Sequence, residues 1–165
     1  MVNTSVNRFL NKTQRPPVME VRSWLEGKKD NNLKVINLSQ AAPLLPPPKS
    51  LIKHLTKELL NTDSHLYGPV LGDLKLRSKI ASTWNNEYRS KITVDNIAVT
   101  SGCNQAFCAA ISSIAAPGDK IILPVPWYFN HEMWLSMQGI IPIPLPTNQN
   151  LLPCIKSAKA LIDNK

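Results

Sequence analysis

The sequence predicts an α/β protein in which a partial three-layer α/β/α domain with a mainly parallel sheet follows an N-terminal helical segment. After residue 92 the pattern runs strand, helix, strand, helix, strand, with apolar strand segments at 97–100, 120–124 and 140–145. Short apolar strands that alternate with helices are typical of a parallel sheet covered on both faces. Three strands with an open edge are few for such a sheet. The pattern therefore indicates a truncated part of a larger domain.

The first forty residues are predicted as an arm, a helix and a strand. Residues 1–15 are polar and lack sustained periodicity, so we expect a flexible arm. Pro16 and Pro17 favour the start of a helix, and Gly27 favours the end of that helix. Between them, apolar residues recur at helical spacing: Val18, Val21, Trp24 and Leu25. Residues 34–38 are predicted as a strand that enters the proline-rich loop 41–48.

Two further helices flank a long connection. Residues 49–60 carry an apolar stripe, with Lys53 and Lys57 on the opposite face. Asp73 is placed to cap a helix over residues 74–88. The connection at 61–72 contains Tyr67, Gly68 and Gly72, and connections of this length often serve function.

In the second half, helices are predicted over residues 104–115, 127–138 and 153–162, with Gly139 ending the second of them. Parallel sheets bind ligands at the carboxyl ends of their strands. The loops that follow the first two predicted strands are 101–105 and 126–129. We expect these loops to lie side by side around one pocket.

The junction at 101–105, with the sequence SGCNQ, is the strongest candidate for a binding site. This junction lies between a predicted apolar strand and a predicted helix. The first N–H groups of a helix lack intrahelical acceptors and lie at the positive end of the helix dipole. A phosphate fits such a position. The alternative is that Gly102 makes a tight strand-to-helix turn that binds no ligand.

Composition argues against several other classes of protein. The net charge is +8, but the 19 lysines and arginines are scattered without a reading motif, so we expect no nucleic-acid partner. The cysteines and histidines lack the spacing of a metal site. No apolar run is long enough to cross a membrane, so we expect a cytoplasmic protein. The basic start, with Arg8, Lys12 and Arg15 before the first acidic residue, leaves a weak organellar presequence as the alternative.

Four segments together resemble the class I aminotransferases, pyridoxal-phosphate enzymes of fold type I, over residues 16–165. INLSQAAP at 36–43 is similar to the family's entry loop. YGPVLG at 67–72, together with Leu76 and Arg77, is similar to the family's Y-G-x-x-x-G-x-x-x-L-R segment. VTSGCNQA at 99–106 resembles the turn that holds the coenzyme phosphate, and PGDKIILPVPWY at 117–128 the P-G-D-x-V-x-x-P-x-P-x-Y segment. The resemblance implies an aspartate-aminotransferase-like large domain, of which residues 91–165 are the first part. Residues 1–15 are then the arm, and residues 16–90 the N-terminal helical segment with the entry loop.

The resemblance implies which residues bind pyridoxal 5'-phosphate. The backbone amides of Gly102, Cys103 and Asn104 would hold its phosphate, with a further donor from the Asn104 side chain. Tyr128 would stack on its pyridine ring. Trp127 and Phe129 are the alternatives for that role, and core packing is the ordinary role of such an aromatic residue.

Two further positions are implied to act in a dimeric parent enzyme. Tyr67 matches a tyrosine that reaches the coenzyme phosphate of the neighbouring subunit, which implies a homodimer; pinning its own turn is the alternative. Ala41 stands where many relatives have a glycine that contacts the substrate carboxylate. Arg77 is implied to be structural, so we leave it out of the site.

The family's lysine that forms a Schiff base with the coenzyme has no matching motif here, and neither Lys79 nor Lys91 resembles it. We therefore expect a fragment of an aminotransferase that exchanges an amino group between an amino acid and a 2-oxo acid, inactive alone. The alternatives are a noncatalytic module that binds a phosphorylated metabolite or a partner chain, and half of a split lyase or transaminase. A thiol enzyme using Cys103 at a helix N-terminus is a further alternative.

Overall fold

The computed structural model describes residues 6–26, 36–39 and 42–163. Its helices and strands in chain order are α1 (Pro17–Glu26), α2 (Lys49–Leu59), α3 (Leu74–Tyr88), α4 (Cys103–Ile114), β1 (Lys120–Val125), α5 (Phe129–Met137), β2 (Ile141–Pro146) and α6 (Ile155–Asp163). Three short 3-10 helices lie at Leu10–Lys12, Thr62–His65 and Val94–Asn96. The chain divides into two compact units, Met1–Ser39 with Cys103–Lys165, and Gln40–Gly102. None of the described helices is long and apolar enough to span a membrane.

The sheet of the first unit is parallel, as predicted, and consists of β1 and β2. Its ladder starts where Ile141 N–H donates to Asp119 O at 2.8 Å, next to a bond of 2.8 Å from Gly118 N–H to Gly139 O. α5 connects the two strands, which gives the β-α-β unit that the alternating pattern predicts.

The core of this unit lies between the sheet and its helices. Leu135 of α5 is fully buried, and Ile111 of α4 and Ile140 pack with it. Four half-buried apolar residues surround them: Phe107, Ala115, Ile121 and Leu123. Helical spacing on α4 and strand alternation on β1 supply these residues, since Ile121 and Leu123 share one face of the strand.

The N-terminal residues are anchored to the end of α5. Gly139 has φ +72°, and a Cβ added there would lie 2.6 Å from Cζ of Phe9. The Thr13 hydroxyl donates to Phe9 O at 3.1 Å, which ties the following turn to the same residue. α1 begins at Pro17, where the sequence predicts it. The flexibility of residues 1–15 stays a prediction.

The second unit is built around α3. Asp73 caps this helix as predicted, since its Oδ1 accepts from Leu76 N–H at 2.9 Å. Arg77 is buried; its Nε donates to Ile97 O at 2.9 Å and its Nη2 to Val94 O. The arginine therefore satisfies the carbonyls of the segment after α3, which is the structural role expected of it.

The predicted strand at 97–100 is wrong. Val99 N–H donates to Leu71 O at 2.9 Å, and residues 97–100 join no ladder in the described part of the chain. An apolar run becomes a strand only if a neighbouring strand pairs with its backbone. The predicted strand at 34–38 lies partly outside the described residues, and its described residues, 36–38, form no ladder.

Cys154 lies just before α6, and its carbonyl accepts the N–H of Ala158 at 3.0 Å. Hydrogen bonds from the Ser157 side chain, and from the backbone of Ser157 and Lys156, lower the pKa of this exposed thiol. The cause is the usual one at a helix N-terminus, where unpaired donors stabilise the thiolate.

We expect the Gly139→Ala variant to lose about 1–2 kcal/mol of unfolding free energy, because alanine is strained at positive φ and its Cβ meets Phe9. Urea denaturation followed by tryptophan fluorescence measures this loss. In a Phe9→Ala background the cost should fall to the backbone strain alone, about 1 kcal/mol. An equal loss in both backgrounds would contradict the anchoring of the N-terminal residues by Phe9.

We expect iodoacetamide to alkylate Cys154 several-fold faster than the half-buried Cys108 at pH 7. A lowered pKa leaves a larger fraction of Cys154 as thiolate at that pH. Peptide mass spectrometry after timed quenching gives both rates. Ser157→Ala removes the largest cause of the shift, so the pH at which the Cys154 rate rises should move upward. An unchanged profile in that variant contradicts the assignment.

Candidate functional site

The N-terminus of α4 offers backbone donors to an anion. Cys103 and Asn104 are its first residues, and both are exposed. N–H groups in the first turn of a helix have no acceptor within the helix and lie at the positive end of the dipole. A phosphate or carboxylate is the ligand class that such a position favours.

Gly102, the last residue of the second unit, makes a tight turn. Its φ is +93°, which favours glycine, and a Cβ added there would meet nothing within 4 Å. Its N–H donates to Thr100 O at 2.8 Å, and the Thr100 hydroxyl donates to Gly102 O at 3.0 Å. That donor therefore has an acceptor within its own turn. The phosphate contacts of the Gly102, Cys103 and Asn104 amides stay predictions.

Tyr128 precedes α5 and stands at its N-cap. The residue is 47% exposed, so it is not buried in the core. Its hydroxyl accepts from Asn130 Nδ2 at 2.7 Å, and its ring centroid lies 5.1 Å from that of Phe129. These contacts hold the side chain while part of it stays open to a flat ligand. The alternatives for stacking, Trp127 and Phe129, are half-buried and line a cavity next to the residues before α1.

His131 links Tyr128 to α4. The imidazole stacks on Phe107 with centroids 3.9 Å apart and planes at 11°, and the Tyr128 ring contacts it edge-on at 5.2 Å. Sequence reasoning missed this histidine; the signal was its position three residues after Tyr128, on the same side of a helix. Its Nε2 is buried and has no hydrogen-bond partner within the described residues, and the same is true of Trp134 Nε1.

Two cavities border these residues in the first unit. One, of about 200 Å³, lies between α4 and α5 and is lined by Asn104, Phe107, Cys108, Asn130, Met133 and Trp134, with Met137 at its edge. The other, of about 380 Å³, lies between the residues before α1, including Lys12 and Arg15, and the start of α5. Asn104 lines the first cavity, whereas Trp127 and Phe129 line the second. The two loops predicted to surround one pocket therefore line separate cavities, and Tyr128 is connected to α4 by its ring contact with His131.

The remaining predicted positions fall outside this cluster. Tyr67, in the second unit, is fully exposed, so it does not pin its own turn by packing; its contact with a neighbouring subunit stays a prediction. Ala41 lies outside the described residues. The described ring contacts of His131 are with Phe107 and Tyr128, and a role of Cys103 as a nucleophile stays an alternative.

The family described as "Aminotransferase class I and II" matches residues 33–164. This chain belongs to the class I and II aminotransferases. The match covers most of the chain, including α4, β1 and Tyr128, and it confirms the family that the four motifs indicate.

Two curated proteins with different names are similar to this chain. The (5-formylfuran-3-yl)methyl phosphate transaminase of Methanocaldococcus jannaschii is 29% identical over 126 residues, which are 76% of this chain and 34% of that protein. The uncharacterized HTH-type transcriptional regulator YjiR of Escherichia coli is 31% identical over 147 residues, or 82% of this chain and 30% of the regulator. The chain thus spans about a third of the length of these relatives.

Solved structures confirm the fold class. The aspartate aminotransferase of Thermotoga maritima superposes with a TM-score of 0.83 at 23% identity, over 94% of this chain and 42% of that one. At this identity the likeness shows the fold alone, which is that of the fold type I enzymes. Aminotransferases of this family generally depend on pyridoxal phosphate.

Proposed function

We propose that this chain is the part of a pyridoxal-phosphate-dependent aminotransferase that holds the coenzyme phosphate and covers one face of its ring. The observation that carries the proposal is the pairing of open helix donors with an exposed aromatic ring in one unit. Cys103 and Asn104 open α4, and Tyr128 is joined to that helix through His131 and Phe107. These residues fit the group in two respects, since a phosphate requires donors and a pyridine ring requires a flat apolar face.

Each residue has a defined task in this proposal. The amides of Cys103 and Asn104, with the Asn104 side chain, bind the phosphate. Tyr128 orients the ring, and the bond from Asn130 to its hydroxyl limits its rotation. Pyridoxal phosphate, when bound, supplies the electron sink for reaction at the amino-acid carbon. The chain carries no motif of the family's covalent lysine, so we propose that it does not transaminate alone.

The activity of the whole protein follows as a further part of the proposal. Family membership supports the exchange of an amino group between an amino acid and a 2-oxo acid. The fully exposed Tyr67 supports a homodimer in which it reaches the neighbouring subunit. Ala41 is the position proposed to contact the substrate carboxylate, and the cytoplasm is the proposed location.

A second candidate is a noncatalytic module that binds a phosphorylated metabolite. The similarity to YjiR, which is named as a transcriptional regulator, favours it. Such a module needs the donors of α4 but neither a covalent lysine nor a ring face at Tyr128. The two candidates therefore differ in what they require of Tyr128.

We expect pyridoxal phosphate to quench the tryptophan fluorescence of the purified chain saturably, with inorganic phosphate as a weaker competitor. Tyr128→Ala should raise the dissociation constant about tenfold, because a lost stacking contact costs about 1–1.5 kcal/mol. Tyr128→Phe is the matched control, since it keeps the ring and should bind within about threefold of wild type.

Three results would change the proposal. Absence of saturable binding contradicts the coenzyme site. Equal affinity for inorganic phosphate and the coenzyme, with no effect of Tyr128→Ala, supports the noncatalytic module instead. Borohydride treatment followed by peptide mass spectrometry should label no single lysine; stoichiometric labelling of one would show that the chain carries its own covalent lysine.

A further inference from the structure

The cavity between the residues before α1 and the start of α5, which we name the arm cavity, combines charged and aromatic side chains. Its volume is about 380 Å³. Lys12 and Arg15 line it on one side, and Trp127, Phe129 and Glu132 line it on the other. Small-molecule sites in proteins have volumes of about 300–1,000 Å³. The arm cavity is therefore large enough for a ligand with one ring.

The N-terminal wall of the arm cavity is fixed through Phe9. The Phe9 ring lies so close to Gly139, at the end of α5, that a Cβ added to the glycine would be 2.6 Å from Cζ. The guanidinium of Arg8 lies over the same ring, 4.8 Å from its centroid. The carbonyl of Phe9 accepts Lys12 N–H at 3.1 Å and the Thr13 hydroxyl at 3.1 Å. Phe9 thus ties the turn that carries Lys12 to α5.

The charged side chains of the arm cavity favour a ligand with one negative charge. Lys12 and Arg15 are two exposed cations, and Glu132 is the carboxylate among the lining residues. Glu132 Oε1 accepts the Ser136 hydroxyl at 2.8 Å, which holds that carboxylate on α5. The excess of one positive charge matches a monoanion. A carboxylate fits the guanidinium fork of an arginine and the ammonium of a lysine.

The aromatic wall comes from a run of three aromatic residues in which the outer two have a different task from the middle one. Trp127 and Phe129 are half-buried and line the arm cavity. Tyr128, between them in the chain, contacts the ring of His131 edge-on at 5.2 Å. Indole and phenyl groups offer flat apolar surface to a planar ring. The ligand that fits both walls has a ring as well as a negative charge.

We propose that the arm cavity binds an aromatic monocarboxylate, with the carboxylate held by Lys12 and Arg15 and the ring packed against Trp127 and Phe129. This site is separate from the one proposed for the coenzyme, and it does not depend on coenzyme binding.

The test is isothermal titration calorimetry of the full chain with 3-phenylpropionate, which should bind saturably with one site per chain. The probe 3-phenylpropionamide lacks the charge and should bind about fivefold more weakly. Propionate lacks the ring and should bind at least about tenfold more weakly. Absence of saturable binding overturns the proposal, as does equal affinity for the acid and the amide. Tighter binding of phenyl phosphate overturns the assignment of the ligand as a carboxylate.

Substitutions at the two cations test how the charge is recognised. Lys12→Gln and Arg15→Gln should each raise the dissociation constant of 3-phenylpropionate about twofold to threefold, because single exposed ion pairs are weak, and together by about fivefold or more. Lys12→Arg, the matched control, keeps the charge and should bind within about twofold of wild type. Both cations are exposed, so we expect the variants to keep the wild-type circular dichroism. A double variant that binds like the wild type overturns the role of the cations.

Trp127→Ala tests the aromatic wall and should weaken binding of 3-phenylpropionate at least about tenfold. Trp127→Phe keeps a flat ring and should lose about threefold or less. Urea denaturation of both variants separates a lost contact from a lost fold. If the two folded variants bind equally well, the ring does not pack against Trp127, and the proposal is wrong.

The coenzyme and the carboxylate are distinguished by exchanging their tests. The Lys12→Gln, Arg15→Gln double variant should bind pyridoxal phosphate within about threefold of wild type while it loses affinity for 3-phenylpropionate. An equal loss of affinity for both ligands would mean that pyridoxal phosphate occupies the arm cavity, which overturns the proposal of a separate site. If the chain does not bind pyridoxal phosphate at all, the proposed coenzyme site fails, and saturable binding of 3-phenylpropionate still supports the arm cavity.

Discussion

The parallel ladder between β1 and β2 is the constraint on which the first unit depends. Its first bond, from Ile141 N–H to Asp119 O, sets a register in which α5 must return along the sheet. That return buries Leu135 completely and places Tyr128 just beyond the carboxyl end of β1. Because the aromatic residue follows β1 directly, a shift of register would move Tyr128 relative to Phe107 of α4. The candidate site is thus positioned by backbone hydrogen bonds as much as by its own side chains.

Gly102 and the first residues of α4 have different backbone roles. Gly102 adopts a backbone conformation that other residues disfavour, and its N–H is spent on Thr100 O in closing the turn. The next two residues are the first of α4, where N–H groups lack an acceptor within the helix. The conformation of Gly102 is therefore held by a hydrogen bond within its own turn.

Sequence alone predicted the helices well and the strands less well, for a physical reason. The start of α1 at Pro17 and the cap of α3 by Asp73 depend on local chemistry, which a sequence displays directly. Residues 97–100 have the composition of a strand, but a strand exists only through a partner that the local sequence does not contain. His131 was missed for a related reason, since its importance comes from stacking on Phe107, a residue of another helix. The parallel pairing of the other two strands was predictable because a helix connects them.

Some described residues lack the contacts that their chemistry favours: buried nitrogens have no hydrogen-bond partner, and apolar side chains on α2 are exposed. His131 Nε2 and Trp134 Nε1 are buried without partners, although a buried donor that lacks an acceptor costs about 1–3 kcal/mol. Leu55 and Leu59 of α2 are more than half exposed on a helix whose stripe is patterned for burial. A hydrogen-bond partner near the two nitrogens and apolar surface against α2 would each lower the free energy of the folded chain.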